Sequence, residues 1–385
     1  MKYFIIAGEA SGDAHAARLI DGIKDADPDA DIRGFGGDEM KKAGAAICKH
    51  YRDMAYMGLI PVLLHLPQIA RNFRDGKREL LLFSPHVLIL VDYAGFNLRM
   101  AQVARREGIP TAYYISPKIW AWNTKRVWKI KERVDKMYTI FPFETGFYAR
   151  YGYPVQYVGN PVFDAIKRYR ERPVDPIRFR EENQLGPQPI VALLPGSRQH
   201  EIRSLLPVME QTSLFVPDYQ YVIAGAPGIN PAFYRSLLQT NIPVIYGKTY
   251  DLLTCSHAAL VASGTATLET ALLNVPQVVC YKMGFGWFLE RYRDRLLKTR
   301  FFSLVNLVAD REVVREYFQS QVTPENLKME LSRLLDDRPY RERILEGYRE
   351  VTQILDTDDE PGSAVARSIV GSLREKKNGS NKTQE

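Results

Sequence analysis

Residues 258–283 read AALVASGTATLETALLNVPQVVCYKM, and the fold of the chain turns on how this stretch is parsed. Ala259-Leu260-Val261 is a short apolar run suited to a buried strand. Ser263-Gly264-Thr265 breaks it, Thr267 to Leu273 carries helix formers with apolar spacing, and Asn274 can close that helix. Pro276 to Tyr281 is a second apolar run, rich in valine. Strand, tight turn, helix, strand is one βαβ unit. Its turn lies at the carboxyl end of a strand, where parallel sheets place their ligands. Unpaired N–H groups and the helix dipole favour an anion there, and Gly264 lets the backbone approach it. Glu269, about one turn into the helix, can accept hydrogen bonds from a ribose diol. An ordinary βα turn with a surface glutamate explains the same residues equally well.

The alternation extends outward in both directions. Tyr3 to Ala7, Ile32 to Gly34, Val87 to Val91, Thr111 to Ile115, Met137 to Phe141 and Val155 to Val158 read as strands between helical stretches. Gly159-Asn160-Pro161 is a turn signal, and 168–189 suits a linker with a short helix. A second set follows at Ile190 to Leu194, Tyr221 to Ala224 and Val244 to Tyr246. The fold class expected is α/β, with two doubly wound, Rossmann-like halves facing a cleft. The boundaries expected are 1–162 and 163–355, with a helix over about 356–373 returning to the first half and a disordered polar tail over 374–385.

With 385 residues the chain has room for roughly two to three domains. Lys+Arg 52 against Asp+Glu 45 gives a formal charge of +7, which suits acidic ligands or an anionic surface without requiring nucleic acid. Cys48, Cys255 and Cys280 are far apart and without metal spacing, as reduced thiols of a cytosolic protein would be. The first strand begins too soon after Met1 for a signal peptide, and no apolar run approaches a membrane span.

Four places carry side chains suited to a reaction. In Pro195-Gly196-Ser197-Arg198, the turn N–H groups and Ser197 can cradle phosphate while Arg198 clamps it with a planar fork. An arginine and a helix N-terminus can then neutralise a diphosphate leaving group without a metal. A surface arginine on a βα loop is the plainer alternative. Asp92 follows a buried strand directly, so it can take a proton from an attacking hydroxyl or simply cap the next helix. The loop Gly8 to Asp13, GEASGD, lacks the ending of a Walker motif and suits a polar sugar site or helix capping by Ser11 or Asp13. Residues 118–136 place Trp120, Trp122 and Trp128 among an excess of basic residues. That suits a lipid interface, single-stranded nucleic acid, or a half-buried helix with a solvated basic face. The six histidines are scattered without metal spacing, and His15 is the one that merits a test.

AGEASGD at 7–13, MGLIPVL at 57–63, YISPKIWAWNTKRVWKI at 114–130, FPFE at 141–144, ALLPGSR at 192–198, ASGTATLE at 262–269 and SLVNLVADRE at 303–312 run in order along almost the whole chain. With these motifs the sequence resembles the lipid-A-disaccharide synthase family, inverting glycosyltransferases of the GT-B type. AGEASGD and the SPxxWAW pattern are specific to that family, whereas SGTATLE recurs in several GT-B enzymes. The resemblance implies transfer of 2,3-diacylglucosamine from its UDP donor to 2,3-diacylglucosamine 1-phosphate. UDP is released and a β-1,6-linked disaccharide forms.

The resemblance implies roles as well. Asp92 is the base. Gly196, Ser197, Arg198, Ser263, Gly264 and Thr265 meet the UDP diphosphate, Glu269 the ribose, the backbone near Met283 the uracil, and Asn306 the donor. Glu9, Ser11, Gly12 and Asn97 face the acceptor. Met57, Leu59, Ile60, Leu63, Leu64, Trp120 and Trp122 are the expected lipid contacts. No metal or other cofactor is implied, nor is nucleic acid a partner. A peripheral place on the cytoplasmic face of the inner membrane is implied, with a homodimer, its last helix exchanged between chains, left open beside the monomer. Relatives carry a second carboxylate in the segment after the Asp92 strand; here it reads Asp92-Tyr93-Ala94-Gly95-Phe96-Asn97, so Asp92 acts alone. Position 160 is Asn where some relatives have His, which argues against a catalytic part there. A UDP-sugar 2-epimerase of the same fold is the alternative activity, and a non-catalytic nucleic-acid binder the alternative class.

Overall fold

The computed structural model describes residues 1–54, 66–172, 174–282, 290 and 299–382. The chain divides into two compact units, Met1–Pro161 with Thr357–Glu385, and Val162–Asp356. The first holds a seven-stranded sheet in the order β3-β2-β1-β4-β5-β6-β7. Its strands are β1 Lys2–Ala7, β2 Asp31–Gly36, β3 Ala46–His50, β4 Val87–Val91, β5 Thr111–Tyr114, β6 Lys136–Thr139 and β7 Gln156–Tyr157. The second holds a six-stranded sheet in the order β10-β9-β8-β11-β12-β13. Here β8 is Ile190–Leu194, β9 Gln220–Gly225, β10 Val244–Tyr246, β11 Ser256–Ala262, β12 Gln277–Tyr281 and β13 Glu316–Phe318. Every pairing is parallel.

Burial on both faces explains the continuous apolar runs. Along β1, Tyr3, Ile5 and Ala7 enter one core and Phe4 and Ile6 the other, as the two-residue period of a strand requires. Each such large side chain taken out of water contributes about 1.5–3 kcal/mol before chain entropy is counted. The first core also receives Val365, Ala366, Ile369 and Val370 from the last helix, Pro361–Lys382, which lie among Leu19, Ile20 and Ile23 of the Ala10–Ala26 helix. Small residues bring the two helices together. A Cβ on Gly22 would sit 2.9 Å from the Ser363 Cα. The sequence reading ended this helix at Leu373 and left the rest as a tail. Instead the helix runs to Lys382, because Arg374, Glu375, Lys376 and Lys377 are good helix formers propagating from a packed segment.

In both sheets the chain first winds one way and then the other. The reversal lies between β1 and β4 in the first unit and between β8 and β11 in the second. The loops leaving those strands are the crevices where open α/β sheets bind ligands.

Candidate active site

The first reversal point brings the GEASGD loop beside Asp92. Ala7 is in register with Val91, so the loops after β1 and β4 leave the sheet side by side. Asp92 and Tyr93 both adopt left-handed backbone, with φ of 45° and 46°. Two such non-glycine residues in succession cost on the order of 1–3 kcal/mol each and are held by their surroundings. Asn97 Nδ2 donates to the carbonyls of Asp92 at 2.8 Å and Val91 at 3.2 Å, and the Tyr113 hydroxyl also donates to the Asp92 carbonyl. The Tyr93 hydroxyl donates to the Met54 carbonyl at 2.9 Å, and its ring lies over Gly8, where a Cβ would come within 2.2 Å of it. The Asp92 side chain is half-buried at this turn. Burial raises its pKa, opposed by the charge of Lys118 and the Tyr93 N–H. A carboxylate held this way gains proton affinity while remaining ionisable.

The acceptor residues named from sequence divide here. Glu9 precedes the Ala10–Ala26 helix in extended conformation, and Ser11 is exposed in its first turn. Gly12 is buried against Ala7 and the Val91 carbonyl. Asn97 is fully buried, with Nδ2 spent on the turn and Oδ1 without a hydrogen-bond partner among the described residues, so it shapes the Asp92 loop from the interior, closed off from an acceptor at the surface. Asp13 is likewise structural: it accepts from the N–H groups of Gly37, Glu39 and Met40 and so caps the Asp38–Lys42 helix. Burial lowers the His15 pKa to about 4, which keeps its imidazole neutral.

The SPKIWAW segment is anchored by a carboxylate the sequence did not single out. Glu144 is buried and accepts from the Ser116 hydroxyl, from Trp120 Nε1 at 3.2 Å, and from the N–H groups of Ile140 at 3.2 Å and Phe141 at 3.1 Å. Burial pushes its pKa up to about 7, with these donors pulling it back. Trp120 is therefore no lipid contact: its ring packs edge-on to Phe143 and its N–H is spent on Glu144. Among the described side chains Trp128 is an exposed ring, with Lys131 Nζ 5.9 Å above it. Asn160 is buried and donates to the Ile140 carbonyl at 3.0 Å. A glutamate three residues after a helix start is the sequence signal that would have found Glu144.

At the second reversal point the two turns differ. After β11, Gly264 precedes the Thr265–Leu272 helix, and a Cβ there would meet nothing within 4 Å. Thr265 is exposed at the first helical position, Ser263 Oγ donates to the Phe302 carbonyl at 2.9 Å, and Thr267 Oγ1 donates to the Gly264 carbonyl at 2.8 Å. Glu269 is half-buried, with Oε1 held by the Tyr250 hydroxyl at 2.9 Å, and burial raises its pKa. After β8, Gly196 takes φ of +119°, which favours glycine. The N–H groups of Ser197 and Arg198, expected to be open to phosphate, are instead held by Glu201 Oε2 at 3.0 and 3.2 Å. The Arg198 side chain is half-exposed, with Nη1 3.5 Å from Glu201 Oε1.

Asn306 is also relocated. It is fully buried, accepts at Oδ1 from the N–H groups of Val313 and Val314, and donates to the Val314 carbonyl and Glu316 Oε1. Its amide is used up in holding this loop. Glu316 also accepts from the N–H groups of Phe302 and Ser303, fixing the start of the Leu304–Ala309 helix. Nearby the rings of Tyr281, Phe302 and Phe318 lie nearly parallel, with centroids 4.8–5.6 Å apart. Met283, and Met57, Leu59, Ile60, Leu63 and Leu64, lie outside the described residues, as does the Trp122 side chain. Among the described residues, no three His, Cys, Asp or Glu side chains could hold a metal ion, and no helix is long and apolar enough to cross a membrane.

Loops at the reversal points of two parallel sheets are where an α/β protein of this kind binds its ligands. Comparison with known proteins decides the family. Residues 3–369 match the family model described as lipid-A-disaccharide synthetase. The chain belongs to the lipid-A-disaccharide synthase family. It is 39% identical over 354 residues to the lipid-A-disaccharide synthase of Trichlorobacter lovleyi, covering 89% of this chain and 91% of that one. It is 34% identical over 387 residues to that of Koribacter versatilis, covering 98% and 100%. Membership makes the chain a glycosyltransferase. The fold is shared more widely. UDP-GlcNAc 2-epimerase from Neisseria meningitidis bound to UDP-GlcNAc aligns with a TM-score of 0.65 at 14% identity, covering 97% of this chain and all of that one. The calicheamicin glycosyltransferase CalG4 aligns at 0.58 and 16%, covering 97% and 98%. At such identities the likeness is one of GT-B fold alone, so the epimerase alternative gains nothing from it.

Proposed function

We propose that this synthase moves a 2,3-diacylglucosamine unit from its UDP donor to the 6-hydroxyl of 2,3-diacylglucosamine 1-phosphate in one inverting displacement. The observation that carries the residue roles is the Asp92 carboxylate, half-buried at the β1/β4 reversal point on a backbone turn held by Asn97 and Tyr113. Asp92 takes the proton of the acceptor hydroxyl. The hydroxyl oxygen bonds to the anomeric carbon as the bond to the diphosphate oxygen breaks, and UDP leaves. No covalent intermediate is needed. Glu9 and Ser11 line the acceptor side.

On the donor side, Arg198, Ser197, and the helix start at Gly264 and Thr265 stabilise the charge that builds on the diphosphate. Glu269 takes the ribose and the backbone near Met283 the uracil. This reading places the neutralising charge in the protein and assigns no metal. The acyl chains require work at a lipid surface, so a peripheral site on the inner membrane belongs to the same proposal, and sedimentation distinguishes monomer from homodimer. The test is incubation with both lipid substrates, with and without EDTA. Disaccharide 1-phosphate and UDP should form equally in both. Loss of turnover in EDTA would remove the arginine-only account of the leaving group.

A further inference from the structure

The β8 turn contains its own anion. Glu201 Oε2 sits on the N–H groups of Ser197 and Arg198 at 3.0 and 3.2 Å, and Oε1 lies 3.5 Å from Arg198 Nη1. These are the groups a phosphate would use at the start of the Gln199–Phe215 helix. Gly196 makes the arrangement possible: a Cβ at that residue would fall 2.6 Å from Glu201 Oε2 and 2.7 Å from Glu201 Cβ. The comparable turn at Gly264 has open space where a Cβ would be. The β8 turn is thus occupied by the chain's own carboxylate.

We infer that Glu201 is a built-in competitor for the diphosphate, which weakens UDP more than it weakens the UDP-sugar donor and so promotes product release. This rests on the assignment of Arg198 and its turn to the donor. The discrimination follows from charge. The sugar-linked diphosphate has both phosphoryl groups esterified and carries about two negative charges, whereas the terminal phosphate of UDP has a second ionisation near pH 6 and adds most of a third. A fixed carboxylate a few ångströms away repels the species with the larger charge more strongly. The same carboxylate also withholds two N–H donors until it is displaced.

The experiment is calorimetric titration of UDP and of uridine into Glu201→Gln, together with the inhibition constant of UDP as product. Glutamine removes the charge and keeps the length. UDP should bind about tenfold tighter, an effect of the size expected for removing one nearby like charge. Uridine, without phosphate, should bind as before, and product inhibition should strengthen in step with UDP affinity. Glu201→Asp keeps the charge but shortens the reach, freeing the two N–H groups. It should tighten UDP several-fold, and it decides the matter if the glutamine variant does not fold. UDP binding that is unchanged or weaker in the folded variants overturns the inference and leaves Glu201 as a helix cap. Arg198→Ala in the native background tests the underlying assignment separately: UDP should weaken at least tenfold with uridine unaffected. If it does not, the donor reading of this turn fails whatever Glu201 does.

Discussion

Asp92, the proposed base, is a single carboxylate set by its surroundings. Its backbone is locked by Asn97 and Tyr113, its side chain is desolvated, and Lys118 offsets part of the resulting rise in pKa. Asp92→Asn should lower turnover by roughly a hundredfold or more and leave donor affinity nearly unchanged, because the amide fits the turn but accepts no proton. Near-normal turnover in a folded variant would move the role to Glu9. The pH dependence has a definite sign. The base must be ionised, so kcat/KM falls as pH drops through the raised pKa of Asp92. Lys118→Met removes a charge that favours the carboxylate, so that pKa climbs and the acid limb of the profile moves to higher pH. A limb that stays in place would show that Lys118 does not act on Asp92. The place of Asp92 was legible because an all-apolar strand ends there. Polarity or an aromatic ring in a motif does not reveal burial: Asn97, Asn306 and Trp120 are all buried, Asn97 Nδ2 and Asn306 bonded to the loops beside them and Trp120 to Glu144.

Strands with continuous apolar runs were legible, and the two that were missed, β3 and β13, are edge strands. Ala46–His50 and Glu316–Phe318 carry charged or polar residues on the side a central strand would bury, so neither has the expected pattern. The return of the last helix to Ala10–Ala26 depends on shape, which composition does not display. Gly22→Val should destabilise the first unit by about 1–3 kcal/mol, because Ser363 and Ala366 must be pushed away. Urea unfolding measures this, and an unchanged midpoint would mean that the helix can shift without cost. Glu144 ties the segments after β5 and β6, and its titration should be visible. Its folded pKa, about 7, lies above the ordinary glutamate value of 4.5, so the native state holds this proton more tightly than the unfolded chain does. Its protonated-state advantage is full below about pH 4.5 and is lost as pH rises toward 7, up to about 3 kcal/mol. Glu144→Gln should be less stable overall, since its NH2 group meets N–H donors, and should lose this slope. A slope that persists between pH 5 and 8 would assign it to another group.

The chain as a whole carries +7 and must meet two acylated sugars, yet among the described residues no helix is suited to cross a membrane. On the proposed function, contact with a lipid surface would come from side chains. Two places have the chemistry. Met57 to Leu64 is an apolar segment followed by Arg71, Arg74, Lys77 and Arg78. Trp128 is an exposed ring with Lys131 above it. The first offers more apolar area, and Leu59, Ile60, Leu63 and Leu64 can enter the acyl boundary while the basic residues attract anionic headgroups. Vesicle binding should accordingly rise with anionic lipid and fall with salt. Leu63→Glu/Leu64→Glu should abolish vesicle binding and the use of long-chain acceptor while leaving the melting temperature and UDP affinity intact. Trp128→Ala should reduce binding only a few-fold. If the double variant binds vesicles normally and Trp128→Ala does not, the contact lies at the exposed tryptophan. If the double variant unfolds, these leucines belong to the core, and the basic face around Trp128 is again the remaining surface for lipid.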